Sequence, residues 1–137
     1  DGVAAMAGLR DASISRWFTA DYAQAHPDQA KRITDMLAAT APQGYAANCA
    51  AVRDADFREQ LGRIQVPTLI ATGELDSGST PAMTRQLAAS IPGAHSVVLA
   101  EQRHMMPVEA PREVNKMLLD FLAQARTLTE SAKGIVA

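Results

Sequence analysis

Two side chains of this sequence, Asp76 and His104, are the pair whose types and setting could do chemistry together. A carboxylate bonded to one imidazole nitrogen fixes the tautomer of the ring and stabilises the imidazolium. The other nitrogen is then free to take a proton from a nucleophile. This is the acid–base half of nucleophilic catalysis, and it requires a hydroxyl or thiol. None of the serines, at positions 13, 15, 77, 79, 90, 96 and 131, stands in a Gly-x-Ser-x-Gly elbow. Cys49 also lacks an elbow context. The residues themselves therefore leave the nucleophile unassigned.

The pairing rests on the elements that carry the two residues. Pro67-Thr68-Leu69-Ile70-Ala71-Thr72 and Ser96-Val97-Val98-Leu99-Ala100 are continuous apolar runs, the signature of buried parallel strands. Between them the sequence predicts a helix from Pro81 to Ile91, with Thr80 as N-cap and Pro92-Gly93 as the stop. A second helix is expected from Pro111, burying Val114, Met117, Leu118, Phe121 and Leu122 at helical spacing. Parallel strands joined by a right-handed crossover put the loops after them on one sheet edge. At a strand spacing of about 4.8 Å, the loops Gly73–Ser79 and Glu101–Pro107 bring Asp76 and His104 within reach. Ligands of open α/β sheets sit at that edge.

The composition changes character near residue 60. Residues 1–60 show helical spacing without a convincing strand: Val3, Met6, Ala7 and Leu9, then Ile33, Met36 and Leu37. Breaks at His26-Pro27-Asp28 and Ala41-Pro42-Gln43-Gly44 divide them into two or three short helices. Residues 61–126 form the βαβα part, and 127–137 a tail with no clear partner. Two strands are too few for a stable open sheet, so the chain reads as the second half of something larger. The start at Asp1-Gly2-Val3 has no initiator Met, and the expectation is a nicked, processed or truncated piece.

Composition narrows the partners. The chain has 137 residues with 13 Lys+Arg against 15 Asp+Glu, a formal charge of −2, which offers no footprint for nucleic acid or an anionic bilayer. No stretch approaches the length of about 18–20 apolar residues that spans a membrane. A single cysteine points to a reducing, cytoplasmic setting. Several other residues read as structural. His26 beside Pro27 is a surface turn, His95 precedes a strand without a carboxylate at a telling spacing, and Arg53–Glu59 is a solvated mixed-charge face, so no metal is expected there. Trp17 and Phe18 suit packing, and Met105 and Met106 an apolar wall beside His104. No cofactor-binding fingerprint is present.

Three segments carry a resemblance to a known family. Arg16-Trp17-Phe18-Thr19 with Gly44-Tyr45-Ala46 resembles late lid helices, Val66–Asp76 a seventh strand ending in a triad acid, and His104–Pro111 a triad histidine leading into the last helix. The chain resembles the α/β-hydrolase superfamily, in the branch of 3-oxoadipate enol-lactonase. The resemblance implies an α/β fold: a helical lid part plus a βαβα unit completing a mostly parallel sheet, the C-terminal portion of such a hydrolase. It implies Asp76 and His104 as catalytic residues in the family's order Ser, Asp, His, and Trp17 as a pocket-lining residue. It also implies a small-molecule lactone or ester substrate, no cofactor, and an N-terminal segment that brings the serine. Rival readings are a non-catalytic module that binds a partner or a second copy through its open strand edge, and carbon–carbon bond hydrolysis or cofactor-free peroxidation on the same fold.

Overall fold

The computed structural model describes residues 2–134, without the side chains of Val3, Asp11 and 128–134. Four α-helices come first: α1 (Gly2–Trp17), α2 (Ala20–Ala25), α3 (Pro27–Ala38) and α4 (Pro42–Asp54). This is more helices than the two or three expected, because Phe18-Thr19 and His26 each break the chain within a single turn. Thr19 caps α2, its Oγ1 accepting from the Tyr22 N–H at 3.2 Å. Pro27 and Pro42 start α3 and α4, where a missing N–H costs nothing.

Helix α3 packs on α1 through small residues. Ala30 and Thr34, one turn apart, are buried, and the Thr34 hydroxyl is satisfied by the carbonyls of Ala30 and Lys31, both at 3.1 Å. The expected face of Ile33, Met36 and Leu37 is displaced, and Met36 points to solvent. Small side chains let the two backbones approach, and that contact decides which face turns inward. Met6 of α1 completes the seam, and Arg10 pairs with Asp35 across it at 3.6 Å.

A 3-10 helix (Arg58–Arg63) leads into β1 (Leu69–Gly73), α5 (Pro81–Ser90) and β2 (His95–Leu99). Among the described residues the sheet is this parallel pair, in register from Leu69 opposite His95 to Gly73 opposite Leu99. The strands are as expected to within two residues, and Thr80 caps α5, its Oγ1 accepting from Met83 N–H at 3.3 Å. A short helix α6 (Met106–Glu109), read from the sequence as loop, precedes α7 (Pro111–Gly134). Of the expected α7 stripe, Val114 is buried and Met117 and Phe121 half-buried, but Leu118 and Leu122 are exposed. A two-stranded sheet is too narrow to cover so wide a stripe. Helix α7 continues through the expected tail to Gly134, and residues 135–137 lie outside the described residues.

Candidate active site

The βαβα unit places both candidate residues at the carboxyl edge of the sheet. Asp76 follows β1 in a tight loop that holds itself. Asp76 Oδ1 accepts from the N–H groups of Gly78 at 2.7 Å and Ser79 at 3.1 Å, an Asx-type turn. Thr72, buried at the end of β1, donates its hydroxyl to the Ser79 carbonyl at 2.5 Å and ties the far end of the loop to the strand. With Oδ1 thus occupied, Oδ2 lies 2.9 Å from Nδ1 of His104.

The loop after β2 is pinned against the first. Leu99 and Gln102 accept through their carbonyls from Glu74 N–H and Leu75 N–H, each at 2.8 Å. The Glu74 carboxylate accepts from Glu101 N–H at 3.0 Å, where Glu101 has a left-handed φ of 59°. Gly73 is what permits this approach. A Cβ there would stand 2.3 Å from the Gln102 carbonyl oxygen and 2.6 Å from that of Arg103. The sequence marked Gly73 only as a strand terminator; its closeness to a loop thirty residues away left no local signal.

The pair differs in exposure. The Asp76 side chain is 6% exposed and that of His104 46%. Burial pushes the Asp76 carboxyl up, but the hydrogen bonds from His104, Gly78 and Ser79 and the charge of His104 outweigh it, so its pKa falls below the ordinary 3.8. A carboxylate that stays ionised holds a proton on Nδ1 and leaves Nε2 with its lone pair, the form a general base needs.

Trp17, the last residue of α1, is brought to the same place through its backbone: its carbonyl accepts from Met105 N–H at 2.9 Å. A second link was not legible in the sequence. Glu109 Oε1 accepts from both the N–H of Thr19 at 2.6 Å and its hydroxyl at 2.8 Å, while Oε2 accepts from Arg103 N–H at 3.3 Å. The Tyr22 phenol nearby is pushed up by burial first and by the Glu109 carboxylate second. His26 and His95 lie apart from the pair, His26 with its ring against Tyr22 and His95 exposed at the start of β2. Asp54 and Asp56 are engaged by Arg53 and Arg58, and the Arg58 hydrogen bonds lower Asp56 to about 2. A groove of about 480 Å³ between β2 and α7 is lined by Leu69, Val97, Met117 and Phe121 among others, but by neither Asp76 nor His104.

Comparison with known proteins follows the same outline. Residues 15–116, which contain both Asp76 and His104, match the family described as Serine hydrolase (FSH1). The chain belongs to the serine hydrolase (FSH1) family. It is 32% identical over 108 residues to 3-oxoadipate enol-lactonase 2 of Acinetobacter baylyi, covering 78% of this chain and 40% of that enzyme. The solved enol-lactonase of Burkholderia xenovorans LB400 is 40% identical with a TM-score of 0.83, covering 86% of this chain and 45% of that one. A thermophilic esterase of Thermogutta terrifontis, solved with malate bound, is 25% identical with a TM-score of 0.80, over 88% of this chain and 44% of that one. The expected α/β-hydrolase fold and likeness to the enol-lactonase branch are thus borne out, and this serine hydrolase chain corresponds to a C-terminal portion of that fold. The chain spans less than half the length of these relatives. No helix among the described residues is long and apolar enough to cross a membrane.

Proposed function

We propose that this chain is the acid–base half of a lactone or ester hydrolase, in which a serine on a segment outside it completes a Ser-His-Asp triad. The observation that carries the reading is the 2.9 Å bond from Asp76 to His104 Nδ1, made by two loops on one sheet edge. His104 Nε2 takes the proton of the serine as the hydroxyl attacks the substrate carbonyl. The alkoxide or lactone oxygen leaves with that proton as the tetrahedral intermediate collapses. The acyl-serine is then cleaved by water, whose proton passes to the same nitrogen and on to the serine. Asp76 stays ionised throughout and stabilises the imidazolium.

The choice of a lactone or ester follows the relatives, among them an enol-lactonase and an esterase. Helices α1 to α4 take the part of the lid in this reading, and Trp17, held beside Met105, lines the substrate pocket. The oxyanion hole and the nucleophile elbow belong to the segment outside this chain, so the isolated chain is expected to be inactive. The experiment is labelling of the complete enzyme with a fluorophosphonate, read by denaturing mass spectrometry. Label on a Gly-x-Ser-x-Gly serine outside these 137 residues supports the reading. Label on Ser77 or Ser79 of this chain, or none, contradicts it.

A further inference from the structure

The residues on either side of His104 are both tied to the junction between α1 and α2. Met105 N–H reaches the Trp17 carbonyl directly, at 2.9 Å. Arg103 N–H reaches the same junction through Glu109, whose other oxygen holds the N–H and hydroxyl of Thr19, ninety residues away in sequence. The junction is itself anchored, because Phe18 between them is 1% exposed and stacks on Tyr22 at 5.6 Å. The Asp76 loop is held instead by its own turn and by the carbonyls of Leu99 and Gln102. We infer that Glu109 is a positioning residue: its carboxylate bridges Thr19 to Arg103 and sets the height and direction from which the His104 ring meets Asp76 and the nucleophile.

The donor count makes the carboxylate specific. Three donors converge on it, two at Oε1 and one at Oε2. An amide in its place has one acceptor atom and one donor group, so it can serve Thr19 or Arg103 but must oppose an N–H on the other side. Glu109→Gln thus keeps size and packing while breaking the bridge. A purely structural Glu109 that merely ends α6 would make this change visible in stability and nowhere else.

The inference rests on the catalytic reading for its kinetic arm only. In the complete enzyme, with p-nitrophenyl acetate as the probe, Glu109→Gln and Glu109→Ala are expected to lower kcat by about 10- to 100-fold, the scale of misplacing a catalytic group by an ångström. KM is expected to change by less than about twofold, because the alignment of His104 acts on the transition state and not on substrate binding. The second arm is the NMR signal of the His104 Nδ1 proton bonded to Asp76, expected to shift or broaden in both variants. If Glu109→Ala fails to fold, Glu109→Gln decides. Wild-type kcat and an unmoved Nδ1 signal in folded Glu109→Gln, or a variant that loses only stability, overturns the inference. A parallel His104→Ala variant separates the two failures: full turnover there defeats the catalytic reading, while a displaced Nδ1 signal in Glu109→Gln still upholds the positioning role.

Discussion

The loop that carries Asp76 and the loop that carries His104 lie side by side and are held in different ways. Asp76 is buried, and its Oδ1 is bonded to residues two and three positions ahead. His104 is half-exposed; its neighbour Met105 is held by Trp17, and Arg103 by Glu109, which in turn holds Thr19. The Asp76 side chain is set largely by its own turn, although the loop before it also bonds the carbonyls of Leu99 and Gln102. The His104 loop is bonded in addition to the junction of the N-terminal helices, a long-range contact. Under the proposed roles, this division gives a buried carboxylate and an accessible imidazole.

The comparison can be broken first at the acid. Asp76→Asn keeps the shape of the turn but supplies no charge to favour the imidazolium and permits the wrong tautomer. In the complete enzyme, under the proposed roles, kcat is expected to fall by about 10³–10⁴, the scale of losing the acid of a Ser-His-Asp triad. Retention of more than about a tenth of the rate would leave His104 independent of its partner.

Next in size is Gly73, where the loops touch. Gly73→Ala forces a methyl carbon into the carbonyls of Gln102 and Arg103, and overpacking of this kind costs about 2–3 kcal/mol. A drop in unfolding free energy of that order, together with reduced turnover, is expected in denaturant titration. A neutral change would mean that the His104 loop yields freely. Thr72→Val tests the Asp76 loop alone: it removes the hydroxyl bond to the Ser79 carbonyl, with an expected loss of about 1 kcal/mol by thermal unfolding.

The smallest effect is in acid. The folded-state pKa of Asp76 lies below its ordinary 3.8. The unfolded state therefore binds the proton first, and the carboxylate adds stability that is fully present above the ordinary value. That contribution is lost as the pH falls through the lower folded value. Asp76→Asn is expected to flatten the acid limb of the stability profile below about pH 4. An unchanged limb would show that the carboxylate is not held in its charged form.

What the sequence disclosed follows the same division. The Asp76 loop was legible because its causes are local: an apolar run, a glycine, an aspartate two and three residues before its donors, and a Thr-Pro helix start. The meeting of Asp76 with His104 was legible from topology, since parallel strands send their loops to one edge. Glu109, Gly73 as a contact point and the short helix α6 were not, because each is set by a residue thirty to ninety positions away. Leu118 and Leu122, expected to be buried, are exposed for a related reason. Periodicity reports what a helix can bury, whereas the width of the sheet beneath decides how much of it this chain does bury.

The most direct test of the pairing is the kcat/KM of the complete enzyme for p-nitrophenyl acetate with His104→Ala beside the wild type. The proposed roles predict a loss of about 10³-fold or more, with the protein still folded. A variant within twofold of the wild type would contradict them and leave the Asp76–His104 bond as a structural contact.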